Sequence, residues 1–141
     1  MASQQSIIPD IKAVRDAYEA VRDDANEIQW LVLHYDDKSI ELKCTGKDYD
    51  EMISKFVEDE RNFAYIRMTT GDDMSVRAKF VFITWIGLKV SHLKKAKVST
   101  DKAFVKEIVK EYSVEILADD RDDLKKEAVL SKVELSSGAR Y

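Results

Sequence analysis

Two segments that are apolar on both faces, amphipathic helical stretches between the extended ones, and a length suited to one domain predict an α/β protein. The expected architecture is a three-layer α-β-α sandwich. A central mixed sheet of about five strands is flanked by helices on both faces. The doubly apolar segments are residues 27–35 (EIQWLVLHY) and 79–86 (KFVFITWI). With 141 residues, 45% of them hydrophobic, the chain can bury one core without disulfides or metals. A single domain over residues 10–135 is expected, with loose ends at 1–9 and 136–141.

The elements follow in order. Residues 10–22 place Ile11, Val14, Tyr18 and Val21 at helical spacing, with Pro9 and Asp10 suited to the first turn. In the strand 27–35, Ile28, Trp30, Val32 and His34 point one way and Leu31, Leu33 and Tyr35 the other. Asp36-Asp37-Lys38 turns the chain into a second strand, 39–45, ended by Gly46. A helix is predicted over 49–59, with Met52, Ile53, Phe56 and Val57 on one face. A strand over 62–69 leads into a polar hairpin loop, 70–78. Residues 79–86 form the most apolar stretch and are assigned the central position in the sheet. A long helix is predicted over 89–110, its inner face carrying Val90, Leu93, Ala96, Thr100, Phe104 and Ile108, with a bend at 99–101. Residues 112–118 read as the last strand. A final helix opens at Asp119 to Asp123 and buries Leu124, Ala128, Val129 and Val133. Trp30 and Trp85 are assigned to the core.

The charge is unevenly spread. The chain is −4 overall, yet residues 76–110 hold nine lysines and arginines against two acids, a local +7. Such polarity steers an acidic partner without favouring every polyanion. Catalytic signals are missing: there is no G-x-S-x-G, P-loop or G-x-G-x-x-G, and the two histidines, His34 and His92, have no metal-ligand spacing. His34 is read as a hydrogen-bonded structural residue and His92 as a surface one. The single Cys44 excludes a disulfide framework and a multi-cysteine zinc site. The paired aspartates fall at turns and helix starts, where they cap amides. No enzyme, cofactor or metal is expected. Nucleic acid is disfavoured, because the aromatics near the lysines are taken up by the core. A phosphoinositide-responsive membrane-surface module remains the alternative to a protein partner. With no signal or transmembrane pattern, the cytoplasm is the expected compartment.

The block from Gly71 to Gly87, GDDMSVRAKFVFITWIG, resembles the coactosins, small single-domain members of the actin-depolymerising factor homology superfamily. The likeness extends to Ala17-Tyr18, Val21 to Asp24, Phe63 to Arg67, Lys95 to Lys102 and Ser136 to Tyr141. The resemblance implies a mixed sheet with two helices on each side and no catalysis. It further implies binding to filamentous actin with weak or absent binding to monomers, a role in countering capping, and no severing. The family's filament-binding lysine falls on Lys79, with Arg77 beside it, while Val76 stands where coactosins often carry lysine. In the wider superfamily the long helix also faces actin, which adds Lys94, Lys95 and Lys97. The regulatory serine of cofilins is not carried over to Ser3. A monomer on the actin cytoskeleton is expected.

Overall fold

The computed structural model describes residues 7–72 and 75–136. Its elements are α1 (Ile11–Arg22), β1 (Trp30–Asp36), β2 (Ser39–Gly46), α2 (Tyr49–Ile53), β3 (Arg61–Asp72), β4 (Ser75–Ile86), α3 (His92–Lys106), β5 (Val114–Ala118), a 3-10 turn (Arg121–Leu124) and α4 (Lys126–Ser136). Among the described residues the strands form one mixed sheet in the order β2-β1-β3-β4-β5, antiparallel except for the parallel β4–β5 pair. β3 therefore holds the central position assigned to 79–86. The sandwich itself is as predicted, with two helices per face.

Each face of the sheet has its own core. On the first, α1 and α3 cover Leu31, Leu33, Phe63, Tyr65 and Phe82. On the second, α2 and α4 cover Trp30, Val32, Ala64, Ile66, Val81, Ile83 and Trp85. Ile28 precedes β1 and packs on the first core, not on the Trp30 side assigned to it. Ile8, placed by sequence outside the domain, is fully buried in the same core. In β2 the register against β1 slips between Val32 and Leu33, leaving Lys43 without an opposite residue. This bulge lets Leu42 join the first core and Cys44 the second, and it blunts an edge strand.

Two boundaries and one helix face differ from the expectation for tertiary reasons. The predicted helix 49–59 stops at Ile53. Beyond it the carbonyls of Ser54 and Phe56 accept from the Arg121 guanidinium (3.1 and 2.7 Å), and that of Val57 accepts from Trp85 Nε1 (2.8 Å). The turn packs so closely that a Cβ at Gly87 would sit 2.0 Å from the Glu58 carbonyl oxygen. The expected loop 70–78 is largely ladder, since β3 and β4 pair from Arg61↔Ile86 to Asp72↔Ser75. The part of that loop at residues 73–74 lies outside the described residues. The helix α3 is continuous through 99–101 and buries Val98, Asp101 and Val105, followed by Ile108 and Val109. Of the predicted stripe, Leu93 is 83% exposed and Ala96 and Thr100 are also exposed. The helix is rotated because Asp101 points inward to accept from the Tyr35 hydroxyl at 2.8 Å.

Candidate functional site

The basic segment contains cations that are balanced and cations that are not. Lys89 pairs with Glu58 at 3.3 Å, and Lys102 and Lys106 share Glu115 at 3.0 and 2.8 Å. The Glu115 carboxyl is partly desolvated, which opposes ionisation, but Lys106 and Lys102 outweigh this and hold it below the usual carboxylate range. Among the described residues, Arg77, Lys79, Lys94, Lys95, Lys97 and Lys110 have no carboxylate within 4.0 Å. These are the five expected site residues plus Lys110, which sequence reading left in the general lysine run.

Arg77 and Lys79 lie in β4, within the ladder and not at the end of a loop as expected: Arg77 is opposite Thr70 and Lys79 opposite Met68. Side chains alternate along a strand, so both residues share the face of Val81, Ile83 and Trp85. Arg77 is exposed and Lys79 half-buried, its stem beside buried Met68. A lysine in that position covers apolar surface with its methylenes and keeps its ammonium in water. Val76 is 68% exposed on the opposite face. Lys110 belongs to this end of the sheet, in the connection whose Ser113 amide donates to the Phe80 carbonyl at 2.8 Å.

The α3 lysines are elsewhere. Seven residues of strand separate Lys79 from Ile86, about 23 Å at ~3.3 Å per residue. α3 starts beyond that far end and covers the opposite face. Its first turn is capped by Ser91, whose Oγ accepts from the Lys94 amide at 3.3 Å. Arg61, 9% exposed, lays its guanidinium 3.6 Å from the centre of the Tyr35 ring and donates to the Lys94 carbonyl at 3.1 Å. Lys94 and Lys97 line a cleft of ≈ 370 Å³ together with Lys38, Arg61, Asp37, Asp59 and Glu60, while Lys95 lines a separate groove with Leu88 and Leu117. The structure thus brings Arg77 and Lys79 together and holds the three lysines apart from them.

His34 also lines that cleft, and among the described residues it makes no side-chain hydrogen bond, contrary to expectation. No serine, threonine or cysteine lines the cleft. Partial burial raises the Cys44 thiol above its usual range. Among the described residues no three metal-ligating side chains converge.

Comparison with known proteins places this surface in context. Residues 8–134 match the family model of cofilin/tropomyosin-type actin-binding proteins. The chain is 42% identical over 132 residues to human coactosin-like protein, covering 94% of this chain and 93% of that one. A crystal structure of human coactosin-like protein superposes with a TM-score of 0.87 at 41% identity, covering 92% of this chain and 98% of that one. A solution structure of mouse coactosin, described as an actin filament binding protein, gives 0.77 at 38% identity over 95% of this chain and 98% of that one.

Proposed function

This chain belongs to the coactosin branch of the cofilin/tropomyosin-type actin-binding proteins, and we propose that it binds the sides of actin filaments through Arg77 and Lys79. It is an actin-binding protein and not an enzyme. In this reading it prefers filaments to monomers, counters capping without severing, and acts as a monomer in the cytoplasm. Lys94, Lys95 and Lys97 make a secondary contact.

The observation that carries the reading is a pair of unmatched cations on a backbone ladder. Arg77 can fork onto one carboxylate with two hydrogen bonds, whereas Lys79 acts as a point charge. Backbone already held in a ladder adds little ordering cost on docking, so what remains is the side-chain rotamer freedom. Exposed charges speed encounter and weaken as salt rises, since the Debye length is ~10 Å at 0.1 M.

Co-sedimentation with actin filaments tests the proposal. Lys79→Ala is expected to weaken binding roughly tenfold or more, about 1.4 kcal/mol, with an unchanged circular dichroism spectrum. Equal pelleting of variant and wild type removes Lys79 from the site. Flotation on phosphoinositide vesicles without filament binding would replace the proposal by the membrane-surface alternative.

A further inference from the structure

We propose that Arg67 is the positioning residue of the basic arm, ordering the base of the β3–β4 hairpin from which Arg77 and Lys79 extend. The proposal rests on the filament-binding reading above and adds a residue that does not share its surface.

The hairpin outruns its neighbours. β1 pairs with β3 only from Asn62 to Ile66, and β5 pairs with β4 only from Val81 to Trp85. One further backbone bond follows on each side, Arg67 N–H to the Gln29 carbonyl and Ser113 N–H to the Phe80 carbonyl, both 2.8 Å. Past the Arg67↔Phe80 pair, the five pairs from Met68↔Lys79 to Asp72↔Ser75 have, among the described residues, only each other as ladder partners, Met68 alone reaching back into the second core. An isolated two-stranded hairpin is marginal in water, so the order of this arm depends on its base.

Arg67 holds that base to α1. Its Nε donates to the Val21 carbonyl (2.9 Å), Nη2 to the Arg22 carbonyl (2.7 Å) and Nη1 to Asp24 Oδ1 (2.8 Å). These carbonyls are among those a helix end leaves without partners, and a cation there complements the helix dipole. The guanidinium carbon lies 5.1 Å from the centre of the Phe80 ring. Arg22 approaches the same ring at 4.8 Å, and the Tyr65 ring stacks on it at 5.4 Å. The last residue of β4 before the free arm is thereby clamped by two cations and an aromatic ring. Arg67 lies on the first-core face and its side chain is only 10% exposed. Arg77 and Lys79 lie on the other face, so Arg67 acts on binding through the arm and not by contact.

The experiment compares wild type, Arg67→Met, Arg67→Lys and Lys79→Ala by amide hydrogen exchange and by filament co-sedimentation. In Arg67→Met, exchange of residues 68–72 and 75–79 is expected to rise roughly tenfold while residues 63–66 and 81–85 keep their protection. Filament affinity should fall several-fold with both arm cations intact. Arg67→Lys, which keeps the charge but offers one compact donor head in place of the fork, should fall between the two. It also serves if the methionine variant fails to fold. Unchanged arm exchange in both Arg67 variants overturns the proposal. So does wild-type pelleting by Arg67→Met when Lys79→Ala does not pellet. If Lys79→Ala pellets normally, the filament reading fails, and arm exchange alone then decides whether Arg67 orders the hairpin.

Discussion

β3 carries two arginines on its first-core face, one at its start and one at its middle, and the two are used differently. Arg61 stacks on Tyr35, whose hydroxyl donates to the buried carboxylate of Asp101, and its guanidinium also grips the first turn of α3 through the Lys94 carbonyl. Around it lysines alternate with Asp37, Asp59 and Glu60, so opposite charges share one cleft. Arg67 grips the end of α1 and is itself matched by Asp24, but the strands beyond it carry Arg77 and Lys79 with no carboxylate in reach among the described residues. The lesson is that a count of +7 does not locate a binding surface. Arg77 and Lys79 on the strand ladder and Lys94, Lys95 and Lys97 of α3 all lack a carboxylate partner among the described residues, so what distinguishes the two groups is the acid-lined cleft beside Lys94 and Lys97.

That contrast can be tested from both ends. The largest effect is expected from Tyr35→Phe. It strands the Asp101 carboxylate, which is 2% exposed, and should cost about 2 kcal/mol in denaturant unfolding. Filament binding, measured on the folded protein, should not change. A matching loss of binding would mean that the two ends are coupled. Next comes the double change Lys94→Ala with Lys97→Ala, expected to weaken co-sedimentation by less than about threefold, against roughly tenfold for Lys79→Ala. Equal losses would erase the distinction between the surfaces. The smallest effect concerns Glu115. Its pKa is depressed in the folded protein. Its stabilising contribution is therefore present above the unfolded carboxylate value of ~4.3 and is lost as pH falls through the folded value. The thermal midpoint of wild type should exceed that of Glu115→Gln at pH 6, and the gap should narrow as pH falls below the unfolded carboxylate value of ~4.3. A gap independent of pH would show that the Lys102–Glu115–Lys106 ion pairs do not carry it.

Much of the fold was legible because it depends on local pattern. Two-residue alternation marked the strands, and doubly apolar strands required helices on both faces. Trp30 and Trp85 are buried as expected, at 1% and 2% exposure. The inner face of α3 was misread because its centre is an aspartate, and a hydrophobicity pattern passes over a carboxylate buried for the sake of Tyr35. The short α2 was misread for a related reason, since its freed carbonyls are taken by Trp85 and Arg121 from distant parts of the chain.

The candidate site divides along the same line. The run of lysines and arginines marked residues 76–110, and the resemblance to the coactosins singled out Arg77, Lys79, Lys94, Lys95 and Lys97 within it. Whether each cation would meet a carboxylate could not be read from the chain. Glu115 is nine residues from Lys106 and quenches it, whereas among the described residues no acid pairs with Lys79. Arg67, 43 residues from Asp24, shows no helical or strand period tying it to α1. Alternation and periodicity are set by neighbouring residues, so they survive in one dimension. Charge matching and the clamping of the arm are set by which distant atoms come within ~3 Å, and folding alone establishes that.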